Sequence, residues 1–267
     1  MFQEIDSLYK KLKSLRPLSP ANLRRLSEDF MIEYTYDTNA IEGNTLTLDE
    51  TSIVIKEGVT IAQKPLKDHL EAIGHRDAYL YMEELVKSKT PISERTVKEI
   101  HALVLMDSPG ERGVYRSLPV RVGSFHPCQP YLVPARMEQL VADYCGGMQS
   151  LHAIERAALF HLRFETIHPF VDGNGRTGRL LLNFDLMQEG YPPINIKFSD
   201  RERYYECFKH YHENNGDAAM MVELVAKYAE QELERYISIT EESELIRERA
   251  AEELESQEEV REFEPEL

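Results

Sequence analysis

Apolar residues recur every three or four positions over 5–15, 21–42, 66–86, 93–106, 134–149, 152–165, 178–189, 201–212 and 217–237, which predicts a helix in each segment. Pro65, Pro91, Pro109-Gly110, Gly190 with Pro192-Pro193, and Gly216 punctuate the gaps between them. Residues 113–133 break the habit. Around Val120 and Val122 the apolar positions alternate, and three prolines interrupt the run. That pattern predicts a short β-hairpin or extended flap on an otherwise all-α bundle. Neither an internal repeat nor a low-complexity linker interrupts the series.

Charge changes the picture at one end only. The 267 residues carry 31 Lys+Arg against 47 Asp+Glu, a formal net charge of −16. Residues 241–267 hold twelve Glu and three Arg, a net of −9, which leaves −7 for the other 240 residues. Leu245, Ile246, Ala250 and Leu254 in this tail recur at helical spacing, so a solvated helical extension is expected. The acidity argues against general nucleic-acid binding, where Lys and Arg supply the affinity, and against an anionic membrane surface. No apolar run approaches the ~20 residues of a bilayer span. The first fifteen residues lack the apolar centre of a signal peptide. Cys128, Cys145 and Cys207 are odd in number and widely spaced, which speaks against a disulfide framework or a structural zinc site. A reduced, cytoplasmic protein is the expectation.

The chemistry concentrates in twelve residues, from His168-Pro169-Phe170 to Arg179. Gly173, Gly175 and Gly178 let a ligand approach the main chain closely. A helical pattern, RLLLNFDLMQEG, follows at once, so the loop delivers N–H groups at a helix N-terminus, a ready anion site. Arg176 and Arg179 lie three apart on the first turn and could hold phosphates. Asp172 is a hard oxygen ligand suited to Mg²⁺ beside them. His168 can take a proton near neutral pH. Residues 173–178 formally match the dinucleotide fingerprint G-x-G-x-x-G, but helical patterns flank them where that reading needs a preceding strand. A zinc site of His161, His168 and Asp172 is a poor alternative across such a loop. Further upstream, Thr38 and Glu42 are four apart and share one helix face, with Gly43 fit to end the helix.

HPFVDGNGRTGR resembles the signature of Fic-domain proteins, H-P-F-x-[D/E]-G-N-G-R-x-x-R, at every fixed position. GVYRSLPVRVGSFHP resembles the Fic flap, and GYPPINIKFSDRERYYE the stretch after the signature helix, so the likeness covers roughly residues 25–235. Thr38 to Gly43 resembles the inhibitory motif [S/T]-x-x-x-E-[G/N] of the autoinhibited branch, which lies N-terminal to the core, as here.

The resemblance implies a Fic fold, with an N-terminal helical region over 1–75 carrying the inhibitory motif, a Fic core over 76–236 and an acidic extension over 237–267. It implies transfer of AMP from ATP, with Mg²⁺, to a hydroxyl side chain of a protein. His168 would be the general base and Asp172 the metal ligand. Gly173, Asn174 and Gly175 would form the anion-holding loop, Arg176 and Arg179 would grip the triphosphate, and Thr177 and Gly178 would belong to the same nucleotide-binding stretch. Val122, Gly123, Ser124 and Phe125 of the flap would border the nucleotide and align the target. Tyr205 and Asn214 lie where the family contacts adenine and ribose. Glu42, with Thr38, would engage Arg179 and keep the γ-phosphate from it. The same carboxylate could orient a water for the reverse removal of AMP, and a catalytically silent nucleotide sensor is a further alternative. The protein substrate is unidentified, with the chain itself among the candidates, and a homodimer is compatible. Neither a winged-helix module nor a repeat domain with a membrane anchor, which select partners in some relatives, is expected from this sequence.

Overall fold

Two central helices carry the molecule, Ala153–Ile167 and Asn174–Gln188 in the computed structural model, which describes residues 2–15, 17, 20–123 and 125–262. Each is apolar on opposite faces. Phe160, Phe164, Leu181 and Phe184 enter one core with Phe30, Met82 and Ile100. Ala157, Leu162, Leu182 and Leu186 enter a second core with Ile5, Val225 and Leu233. A helix buried on both sides must come from the middle of a bundle. In chain order the helices are α1 Phe2–Ser14, α2 Pro20–Ile41, α3 Leu48–Glu57, α4 Leu66–Lys87, α5 Glu94–Val104, α6 Val133–Cys145, the central α7 and α8, α9 Arg201–Glu213 and α10 Ala219–Glu262.

One polar lock fixes α7 against α8. Arg156 of α7 grips Asp185 of α8 at 2.8 Å, and Tyr144 of α6 donates to the same carboxylate at 2.7 Å. Both charges are buried, so deleting either would strand the other at a cost of roughly 3–5 kcal/mol. The lock matters because the loop between these two helices carries the signature.

Three features differ from the sequence expectations. Helix α3 falls where no element is expected, because Thr51, Ile53, Val54 and Ile55 form a β-branched run that obscures a helical period. Thr47 and Glu50 form a reciprocal capping box, and Gly58 closes the helix at φ +66°. Second, α8 begins at Asn174 with Gly173 as its cap at φ +75°, four residues before the apolar stripe starts, so the glycine-rich stretch is the first turn of the helix rather than a loop ahead of it.

Third, the expected β-hairpin is reduced to one bridge among the described residues. Val122 and Phe125 exchange both backbone hydrogen bonds, at 3.1 and 2.8 Å, around Gly123 at φ +58°. Pro119 and Pro127 flank the bridge, and proline cannot donate to a ladder, so pairing stops there. Ser124 lies outside the described residues. The acidic segment continues α10 as helical backbone to Glu262, with Leu245 and Ile246 exposed, and residues 263–267 lie outside the description. Among the described residues no helix is long and apolar enough to cross a membrane.

Candidate active site

Helix α7 ends at His168, whose N–H still bonds Phe164 O at 2.9 Å while its own φ turns to +49°. A left-handed backbone at a bulky residue persists only when its surroundings hold it. Here Arg116 does so. Its Nε donates to His168 O at 2.7 Å, its Nη2 to Cys128 O at 2.6 Å and Ile167 O at 3.3 Å, and its backbone N–H to Pro169 O at 2.9 Å. Below the turn, Asn174 closes the loop by exchanging two 2.9 Å bonds with the backbone of Phe170. Phe170 in turn stacks on His101 at 3.6 Å.

His101 is fixed in one tautomer. Gly113 N–H donates to its Nδ1 at 2.8 Å, so the ring proton is on Nε2 and reaches Asp172 O at 2.9 Å. Burial holds this imidazole neutral, pushing its pKa down to about 4. The main chain on both sides of the glycine-rich turn is therefore tied down by neutral and cationic side chains from α5 and the flap.

The side chains face a cleft of about 670 Å³ between the flap, the N-terminus of α8 and α9. His168, Gly175, Arg179, Glu42 and Tyr205 line it, with Val122, Gly123 and Phe125 as its flap wall. The flap is anchored across the cleft, because Phe125 stacks on His212 of α9 at 3.9 Å and His212 bonds Thr166 of α7 at 3.0 Å.

Arg179 is held on every side. Glu42 Oε1 accepts from Nη2 at 2.7 Å, Thr38 accepts through Oγ1 at 2.7 Å and its carbonyl at 3.0 Å, and Tyr204 accepts from Nη1 at 3.2 Å. A Cβ on Gly175 would collide with Glu42 Oε1, so only glycine lets the carboxylate lie against the first turn of α8. The end of α2 is capped from α9, with Arg201 Nε donating to Ile41 O at 2.8 Å.

Asp172 projects beside the turn, 48% exposed. Burial alone would raise its pKa, but Arg176, the Gly173 N–H and Lys67 together hold it lower than usual. Lys67 Nζ and Arg176 Nη2 each lie 3.5 Å from it. Arg176 is turned away from the cleft, buried and paired with Glu71 of α4 at 3.1 Å. Thr177 and Gly178 lie within the packed helix face. Asn214 caps α9 through His210, exposed and outside the cleft wall. Sequence reasoning passed over Arg116, His101, Lys67, Glu165 and Tyr204. Only Glu165 carried a local signal, three residues before His168 on the same helix.

Residues 91–186 match the Fic/DOC family model. The crystal structure of a Fic domain containing signaling protein from Bacteroides thetaiotaomicron is 32% identical, covers 90% of this chain and 98% of its own, and superposes with a TM-score of 0.83. The chain belongs to the Fic/DOC family. Among curated proteins, Protein adenylyltransferase fic-1 of Caenorhabditis elegans is 38% identical over 80% of this chain and 43% of its own length. Protein adenylyltransferase Fic of Nematostella vectensis is 35% identical over 90% of this chain and 56% of its own. The chain thus spans about half the length of the curated relatives it matches. A solved fragment of Fic-1 from C. elegans superposes with a TM-score of 0.78 at 35% identity, covering 89% of this chain and 70% of that one.

Proposed function

We propose that this protein moves AMP from ATP to a hydroxyl side chain of a protein and that Glu42 restrains the reaction. The observation that carries the reading is the convergence of His168, the N-terminal turn of α8 and Arg179 on one cleft, with Glu42 bound to the arginine at 2.7 Å. The first N–H groups of a helix lack intrahelical acceptors, and Gly175 of that first turn lines the cleft, where phosphate oxygens would be met. His168 takes the proton of the incoming hydroxyl. The hydroxyl oxygen bonds to the α-phosphorus, the bond from that phosphorus to the pyrophosphate oxygen breaks, and pyrophosphate leaves with the electron pair. Arg179, once free, would hold the γ-phosphate and keep the leaving group in line.

Asp172 fits Mg²⁺ as a half-exposed carboxylate already facing cations. Among the described residues no group of three His, Cys, Asp or Glu could hold an ion alone, so phosphate and water oxygens would complete its shell, as Mg²⁺ prefers. Bound there, the metal would supply charge neutralisation at the phosphates. The flap edge at Val122 and Gly123 would align the target chain, and Tyr205 would border the nucleotide. A second reading, removal of AMP, is favoured by the exposure of Glu42 to the cleft, where its carboxylate could orient a water.

The test is incubation with α-labelled ATP and candidate acceptors, itself included, read by intact mass. Glu42→Gly should gain the mass of AMP on an acceptor. His168→Ala in that background should lose it by about 10²–10⁴-fold in rate while still binding ATP by calorimetry. Transfer at an undiminished rate without His168 would remove it as the base.

A further inference from the structure

Three buried polar atoms behind the signature turn make no well-formed hydrogen bond: His168 Nδ1, Glu165 Oε1 and His161 Nδ1. Their residues stand at i, i+4 and i+7 along α7, so they form one stripe on its last two turns. Glu165 Oε2 lies 3.5 Å from His168 Nδ1, a contact slightly long for a hydrogen bond, with the two side chains only 11% and 16% exposed. Helix α8 seals the stripe with a glycine. A Cβ on Gly178 would run into Glu165 Oε1 and come within 2.9 Å of His161 Nδ1.

A carboxylate in such a place is costly unless something opposes its charge. Burial raises the pKa of Glu165, yet its contact with His168 and the nearby Arg179 charge outweigh burial and hold the carboxyl below its usual range. The groups facing it are therefore His161 and His168 from α7, Arg179 from α8 and Tyr204 from α9. Two of these are committed elsewhere. Arg179 is occupied by Glu42 and Thr38. Tyr204 accepts from Arg179 at 3.2 Å and shares a 2.8 Å hydrogen bond with His161 Nε2. His161 is neutral, its pKa pushed down to about 4 mainly by burial. That leaves His168, whose Nδ1 has no partner among the described residues other than Glu165.

We propose that Glu165 is a positioning residue for His168, accepting the Nδ1 hydrogen so that the Nε2 lone pair faces the cleft and stabilising the imidazolium formed when Nε2 takes a proton. The inference rests on the adenylyl-transfer reading for its kinetic consequence but not for its geometry. Orientation of a histidine by the partner of its other nitrogen is a general device. The contact is expected to shorten when substrate fills the cleft, since such bonds are often long in the unliganded state.

Two variants of the full chain test it. Glu165→Met removes the acceptor at similar volume, and Glu165→Gln keeps an acceptor but removes the charge. Nitrogen NMR of protein labelled at histidine should give His168 as the Nδ1–H tautomer in the wild type and as a mixture in Glu165→Met. In a Glu42→Gly background, Glu165→Met should lower the rate at saturating ATP by about tenfold or more with the KM for ATP unchanged. Glu165→Gln should move the acid limb of the pH–rate profile to lower pH, because the cationic imidazole loses its counter-charge. An unaltered tautomer in Glu165→Met, or an unmoved acid limb in Glu165→Gln, would overturn the proposal and leave Glu165 as packing. Should no variant or wild type transfer AMP, the functional reading fails, and the tautomer measurement alone decides the pair.

Discussion

Arg179 and Glu42 meet at 2.7 Å across 137 residues of sequence, and they meet unequally. The guanidinium is 2% exposed and has three further hydrogen bonds, whereas the carboxylate is 33% exposed. Releasing the pair therefore requires motion of Glu42 alone. Thr38 and Tyr204 keep the arginine aimed at the cleft, so a γ-phosphate could take the place of the carboxylate without rebuilding the site.

Glu42→Gly should raise AMP incorporation at least about tenfold, since misplacement of a reacting group by about 1 Å can cost ~100-fold. Arg179→Ala should not activate, because on the proposed reading it deletes the phosphate ligand that the carboxylate would conceal. The double variant should behave as Arg179→Ala, a strongly non-additive outcome expected of residues in contact. Glu42→Gln keeps the shape and loses the charge, so activation close to that of glycine would assign the brake to the ion pair. Rates at matched ATP for all five proteins, wild type included, decide it. Equal rates in wild type and Glu42→Gly would refute the brake.

Metal dependence should respond in opposite directions to two neighbours 3.5 Å apart. Asp172→Ala should raise the Mg²⁺ concentration needed for half-maximal rate and lower the maximum. Lys67→Ala removes a cation that competes for the same carboxylate, and should lower the requirement. The Lys67 effect is expected to be small, within about threefold, because that lysine is largely exposed and its pair screened. A Mg²⁺ titration unchanged in Asp172→Ala would end the metal role of that residue.

What the sequence made legible follows from range. The helical stripes are local patterns and appear where expected, because a 3.6-residue period acts through near neighbours, whereas the glycines of the signature hid that α8 already begins at Asn174. The direction of Arg176 was not legible, since it depends on Glu71, a residue of α4 brought in by the fold. Arg116 read as one basic residue in a flap, and only the tertiary structure gathers the carbonyls around it. Helix α3 was local but its β-branched run spoke against its capping box. The hairpin failed for the opposite reason, as alternating residues were overruled by prolines that cannot complete a ladder.

Stability should fall with acid through the buried histidines. His101 is pushed down to about 4 by burial, against an ordinary value of 6.5. Between those values the unfolded chain binds a proton that the folded chain refuses, so stability is fully present above about pH 6.5 and is lost as pH falls toward 4. The loss is at most roughly 1.4 kcal/mol per pH unit for one such group. His101→Gln can still accept from Gly113 and donate to Asp172 O without titrating. Urea unfolding at pH 7 and pH 5 should therefore give a smaller difference for His101→Gln than for wild type. Parallel differences in the two proteins would show that His101 titrates as freely folded as unfolded.

Arg116 offers the sharpest test of how the flap and the signature turn depend on each other. It is buried, and among the described residues no carboxylate lies within ion-pair distance, so its charge is met by carbonyl oxygens and the Cys128 sulfur. Those oxygens belong to Ile167 and His168 at the end of α7 and to Cys128 and Leu118 of the flap. The C-terminus of a helix carries partial negative charge, which favours a cation there. Hydrogen bonds from a charged donor contribute about 1.5–3 kcal/mol each, more than neutral ones. Arg116→Lys keeps the charge, but a single ammonium cannot span both segments with the geometry of a planar fork. It should lower the thermal midpoint by several degrees, and in a Glu42→Gly background it should lower the transfer rate about tenfold with ATP binding retained, because the turn bearing His168 loosens while the start of α8 is held separately by Asn174. Arg116→Met removes the charge as well and should leave the flap more open to proteolysis near Cys128. A lysine variant that keeps both its midpoint and its rate would mean that the left-handed turn at His168 is fixed by Pro169, Asn174 and His101 without this arginine.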